Sequence, residues 1–190
     1  MPVNNPLSTG RKVLITLLIV SFFFIGFTAS YKYVHQQFAK AQSKTPSIPT
    51  PAPINLALTA VKNTVNKGKY ISVTLNLATG NQTLDAADFV VNFDPKYLQV
   101  AKIFPGNFFK TYPSTKMDKD FIKITGIATL SGNSVFIPKG TGTVAIISFL
   151  ATEKTPKTSI TIDKVKTVLA SGGNNLKNRL IFSDLDLTIN

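Results

Sequence analysis

The chain reads as an all-β protein, a β-sandwich of about nine strands preceded by one N-terminal transmembrane helix. Three observations predict this. From Ile54 onward apolar residues recur in period two, with no sustained helical periodicity. Clusters of Gly, Asn, Asp and Pro punctuate those runs as turns do between short strands. Ahead of them stands an uncharged apolar run over 13–29.

Taken in order, Leu56, Leu58 and Ala60 share one face of a first strand, and Ile71, Val73, Leu75 and Leu77 one face of a second. Ser72, Thr74 and Asn76 point the other way. A third strand sends Ala87, Phe89, Val91 and Phe93 inward and Asp88, Val90 and Asn92 outward, and it ends at the turn Asp94-Pro95. Residues 98–104, 121–128 and 135–137 supply further strands. The run VAIISFLA over 144–151 is apolar at both parities and suits a central strand buried on both faces. Residues 158–162 follow, and a last strand over 180–189 alternates Leu185, Leu187 and Ile189 with Asp184, Asp186 and Thr188. About nine strands in about 135 residues fit two packed antiparallel sheets.

The front of the chain divides into a cytoplasmic tail at 1–12, a membrane anchor at 13–30 and a stalk at 31–53, with the sandwich domain over 54–190. The apolar run approaches the ~20 residues a helix needs to cross the hydrocarbon core. Arg11 and Lys12 precede it and Tyr31 and Tyr33 follow, as a positive cytoplasmic end and an interfacial aromatic belt would. This places the N-terminus inside and the domain outside the cell, on a single-pass anchor in the cell membrane. The alternative is a signal peptide cleaved near Thr28, Ala29 and Ser30. The segment SKTPSIPTPAP over 43–53 holds four prolines, which favour an extended strut that would lift the domain about 30 Å.

Composition narrows the function. The chain has no Cys, which excludes disulfides, thiolate metal sites and a cysteine nucleophile. Its single His, His35, lies just after the apolar run with no second His or Cys beside it, so no metal site and no cofactor are expected. The net charge is +12, but the lysines of the domain are spread singly, without an Arg-rich run or interleaved aromatics. Nucleic acid is therefore not an expected partner. Asp85, Asp88 and Asp94 could pair as catalytic carboxylates and Asp184 and Asp186 as metal ligands. The first reading lacks a cleft that would separate their pKa values, and the second lacks the six or more oxygens calcium takes. No catalytic residues are assigned, and the chain reads as a non-enzyme.

From Ile54 to the C-terminus the sequence resembles a cohesin domain. Val65-Asn66-Lys67-Gly68 before YISVTLNL is similar to that family's glycine turn and second strand. Asp88 to Leu98, DFVVNFDPKYL, is similar to its third strand, Asp-Pro turn and following Leu. Phe104-Pro105-Gly106-Asn107-Phe108-Phe109, Gly140-Thr141-Gly142 and Val168-Leu169-Ala170-Ser171-Gly172-Gly173 complete the pattern in the same order. The resemblance implies a nine-stranded jelly-roll β-sandwich, a non-catalytic module that binds a protein partner, a calcium-loaded dockerin, on one flat sheet face. It also implies polar contacts from an Asn-x-Asp on the third strand. Here Ala86 and Asp88 stand at those positions, so the Asp matches and the Asn does not. Partner-binding residues are accordingly placed at Asp88, Val90 and Asn92. Binding of carbohydrate or cell-wall polysaccharide by the same domain is an alternative, because related sandwiches bind sugars on exposed aromatic rings. Tyr70, Tyr97 and Tyr112 would serve there, while Phe89, Phe93, Phe108 and Phe109 are expected in the core. A structural subunit of a surface assembly is the third reading.

Overall fold

The computed structural model describes residues 52–131 and 134–190, together with Ser21, Ser30 and Lys32, which are helical. The expected tail lies outside the described residues, as do nearly all of the anchor and stalk. Among the described residues no helix is long and apolar enough to cross a membrane. The strands all belong to one compact unit, Pro51–Asn190.

Fifteen strand segments build it: β1 (Ile54–Ala60), β2 (Thr64–Val65), β3 (Tyr70–Ala78), β4 (Ala86–Asn92), β5 (Leu98–Pro105), β6 (Thr111–Met117), β7 (Phe121–Ile127) and β8 (Thr129–Ser131). They continue with β9 (Ser134–Phe136), β10 (Thr141–Ala151), β11 (Thr155–Ile162), β12 (Val168–Ser171), β13 (Asn174–Asn175), β14 (Leu180–Ser183) and β15 (Leu185–Ile189). One sheet has the order β14-β1-β3-β10-β5. The other runs β13-β12-β4-β11-β15-β2, with β7 on the far edge of β4 and β6 outside β7. A small β8–β9 hairpin stands apart.

Period-two burial runs through both sheets, because every second side chain leaves water for the space between them. Leu56, Leu75, Leu77, Phe89, Val91, Ile122, Ile124, Ile147 and Phe149 are fully buried. The expected inward set of the third strand is there: Phe89 packs 6.3 Å from Phe109, and Phe93 meets Phe149 edge-on at 5.3 Å. Phe108 and Phe109 close the end of the sandwich, as expected of core aromatics. Phe109 lies so close to Gly126 that a Cβ there would fall 2.4 Å from its ring.

Four expectations need correction. The strand expected over 180–189 is two strands. β14 pairs in parallel with β1 in one sheet, and β15 pairs with β11 in the other. The chain crosses between sheets at Asp184, whose carboxylate accepts the Ile162 N–H at 2.8 Å. The 144–151 strand is central, between β3 and β5, but its outer parity is open, with Ile146 39% exposed. The count of nine falls short of fifteen by the split at Asp184 and by five strands: β2, β8, β12 and β13 are pieces of two to four residues, and the edge sequence of β6, TYPSTKM, has exposed residues at both parities and a proline. Val90, expected to stand open on the outer face, is 2% exposed.

Candidate functional site

The outer face of the larger sheet carries the third-strand residues singled out from the sequence. β4 holds its centre. β7 flanks one edge in full register, with Asp88 opposite Thr125, Val90 opposite Lys123 and Asn92 opposite Phe121. Against the other edge, β12 puts Val168 opposite Asp88 and Ala170 opposite Ala86, and β11 pairs with Val91 and Asn92.

Between β11 and β12 the chain leaves the sheet for five residues, 163–167, and this excursion decides the fate of Val90. The Asp163 N–H donates to the Val90 carbonyl at 2.8 Å, and the Val90 N–H donates to Thr167 Oγ1 at 3.1 Å. Lys166 reaches on across β4 to lie 5.4 Å from the Phe121 ring centroid. Val90 is thus covered from its own face by a segment more than seventy residues downstream. Asn92 is drawn into the same cover, its Nδ2 lying 3.5 Å from Asp163 Oδ2.

Asp163 organises the excursion. Its Oδ1 accepts the N–H groups of Val165 and Lys166, both at 2.9 Å, and the Lys166 ammonium lies 3.7 Å from Oδ2. The Lys166 N–H leads in favouring the ionised carboxylate. Burial opposes it, but the Val165 N–H, Asn92 and the Lys166 charge add to the first effect and hold the pKa below the usual Asp value. A carboxyl lowered on folding stabilises the fold above its unfolded pKa, and that contribution is lost as pH falls through the folded value. The amide resonances of Val165 and Lys166 should therefore titrate with a midpoint below about 3.9, the ordinary Asp value. A midpoint at or above that value in an NMR titration would contradict this arrangement.

Asp88 remains accessible. Burial pushes its carboxyl toward the neutral form, but Lys123 Nζ at 2.8 Å and Thr125 Oγ1 at 2.6 Å outweigh that and hold the pKa down. Asp88 is thus an ionised group, oriented by two partners on the neighbouring strand. Ala86 and Ala170 leave a hollow of about 200 Å³ beside it, walled by Asp88, Thr125 and Val168. The alanine that breaks the Asn-x-Asp pattern is therefore one of the residues that open this depression. Lys116, opposite Lys123 on β6, extends the basic character of the face.

The other candidates fall elsewhere. Asp85 Oδ2 accepts the Gly172 N–H at 2.5 Å, and Asp94 Oδ1 accepts the Lys96 N–H at 2.9 Å. These two acids stand just beyond opposite ends of β4, too far apart to share a reacting atom with Asp88. Asp186 accepts from Ser159 Oγ at 2.5 Å and pairs with Lys157 at 2.9 Å, while Asp184 caps Ile162. Among the described residues no group of three His, Cys, Asp or Glu side chains is placed to hold a metal. Of the three tyrosines, Tyr70 is 65% exposed, whereas Tyr97 and Tyr112 are half-buried against the core. The Tyr112 hydroxyl accepts the Phe109 N–H at 3.3 Å, and burial raises its pKa. His35 lies outside the described residues. Clefts of about 480 and 490 Å³ open between β5 and β6 and beside Asn190.

The Asp-Pro turn follows β4 and Gly140-Thr141-Gly142 leads into β10, in the order seen in the sequence. A family model described as the cohesin domain matches residues 54–183. The chain belongs to the cohesin family.

Solved cohesins share the fold. The third cohesin of ScaC from Acetivibrio cellulolyticus, determined in complex with the ScaB dockerin, is 21% identical. It superposes with a TM-score of 0.61 over 72% of this chain and 98% of that one. CaCohA2 from Clostridium acetobutylicum is 15% identical, with a TM-score of 0.60 over 74% and 92%. A non-cellulosomal cohesin from the hyperthermophilic archaeon Archaeoglobus fulgidus is 13% identical, with a TM-score of 0.57 over 73% and 92%. No curated protein matches the sequence.

In this cohesin the sequence reading missed Lys123 and Thr125, which orient Asp88, and Val168 and Ala170, which shape the hollow. Alternation against the buried Ile122, Ile124 and Leu169 could have turned all four outward. Their meeting around Asp88 required the pairing of β4 with β7 and β12.

Proposed function

We propose that this cohesin is a non-catalytic attachment module whose outer face over β12, β4, β7 and β6 docks a dockerin-type protein partner. The observation that carries the reading is the hollow beside Asp88. A depression floored by alanines accepts a partner side chain, and an oriented carboxylate at its rim accepts that partner's hydrogen bonds. Calcium, in this reading, belongs to the partner. Lys116, Lys123 and Lys166 add a positive field that suits a partner with acidic groups. The uncharged run over 13–29 anchors the module in the membrane, and the Pro-rich stalk holds it outside the cell.

The test is binding of the full chain to dockerin modules by calorimetry. Ala170→Arg fills the hollow without entering the core and should weaken binding by about 30-fold or more. Val61→Arg, at an exposed position between β1 and the edge strand β2, should leave binding unchanged. Chelating calcium should abolish binding by emptying the dockerin. Equal affinities for the two variants would sink the assignment of this face. For the anchor, protease applied to intact cells should remove the 54–190 domain, whereas protection of the domain would place it inside.

A further inference from the structure

The opposite sheet presents a second surface of a different kind. Sixteen basic and nine acidic residues fall within 54–190, yet Lys102 alone among them projects from the outer face of β14-β1-β3-β10-β5. Across the middle of that face Thr59, Thr74, Ile146 and Phe104 stand in one cross-strand row. Ile146 is 39% and Phe104 43% exposed, and Tyr70, 65% exposed, pairs with Leu150 toward one end.

Three polar groups of the face satisfy one another. Asn76 Nδ2 donates to Thr59 Oγ1 at 3.0 Å, and Thr143 Oγ1 donates to Asn76 Oδ1 at 3.2 Å. Groups already paired lose little when water is removed, and Thr and Ala present methyls outward.

We propose that this face packs against the same face of a second copy of the chain. Charge selects that occupant. Two domains of net charge +7 repel wherever lysine-bearing surfaces meet, and the docking face carries Lys116, Lys123 and Lys166. This sheet, whose one charged strand residue, Lys102, lies 4.6 Å from the Phe104 ring centroid, is where two copies meet at the least such cost, its exposed Ile146 and the open part of Phe104 leaving water on contact. Five strands about 4.8 Å apart and about seven residues long span on the order of 500 Å² in projection. This is below the ~800 Å² per partner of a standard interface and fits a weak pair that forms at micromolar concentration. Packed sheet to sheet, the pair turns its two docking faces outward and makes a divalent module.

Sedimentation equilibrium of the full chain in mild non-ionic detergent tests the proposal at micromolar concentration. Two chains per particle are expected, falling to one for Ile146→Lys and remaining two for Ser114→Lys on the opposite face. Near-UV circular dichroism checks that Ile146→Lys keeps its fold, and Thr74→Lys repeats the test from a different strand. Raising salt from about 0.05 to 0.5 M screens the net positive charge and should tighten the pair severalfold. A single-chain wild type, a pair that survives both lysine variants, or a pair that salt loosens would each overturn it. So would a single-chain wild type that co-sediments with insoluble cellulose and loses that binding in Ile146→Lys, which would assign the face to a neutral sugar polymer.

Discussion

Phe89→Ala should lower the unfolding free energy by about 3–5 kcal/mol, and Asp88→Ala, one residue earlier, by about 1 kcal/mol. Phe89 is fully buried and packs against Phe109 between the sheets, so truncation removes a whole ring from a close-packed core and leaves a cavity. Asp88 loses a part-exposed ion pair and one hydroxyl hydrogen bond, while its former partners remain open to water. Against a typical stability of about 5–15 kcal/mol, the first change consumes a large share of the total. Urea unfolding of both variants measures the contrast, and the reverse order would mean that β4 is in the wrong register.

Gly106→Ala should cost about 3 kcal/mol although it adds a single methyl. A Cβ at Gly106 would lie 2.0 Å from the Thr143 carbonyl oxygen and 2.4 Å from its carbon. Both are backbone atoms at the β10 bulge, so no rotamer change relieves the clash. The Gly106 N–H donates to the Val144 carbonyl at 2.8 Å and the Phe108 N–H to that of Thr143 at 2.9 Å, which ties the β5–β6 connection to the bulge. Separating the strands would also disturb Phe108 and Phe109, which close that end of the core. Gly140→Ala makes a useful comparison, because a Cβ there meets nothing within 4 Å and only the positive φ of 88° resists it. Thermal melts should show the larger loss for Gly106→Ala; equal losses would mean that crowding at the bulge is not the cause.

Parity was legible residue by residue. Leu56 and Leu58, the Ile71 to Leu77 series, and Phe89, Val91 and Phe93 all point inward as their alternation requires, because a side chain's face in a strand is set by its place in a period of two. Edge strands were less legible. β6 shows no apolar alternation, since its residues are largely open to solvent at both parities, so nothing in TYPSTKM marks it as a strand. The chain crossing at Asp184 left only a change of phase in the sequence: Leu180 and Phe182 pack on the core from even positions and Leu185, Leu187 and Ile189 from odd ones, and at the switch of sheet the Asp184 carboxylate accepts the Ile162 N–H.

The candidate site divides in the same way. Local order along the chain placed Asp88 outward and joined a Pro-rich segment to a sandwich, because alternation and proline chemistry act between near neighbours. Which of the outward residues stay open was settled by segments far away in sequence. Val90 has the parity of Asp88 but lies beneath the 163–167 excursion, while Ala86 became part of a hollow because Ala170 came to stand beside it. Exposure depends on every segment that packs over a residue, and such long-range neighbours leave no trace in the few residues on either side of it.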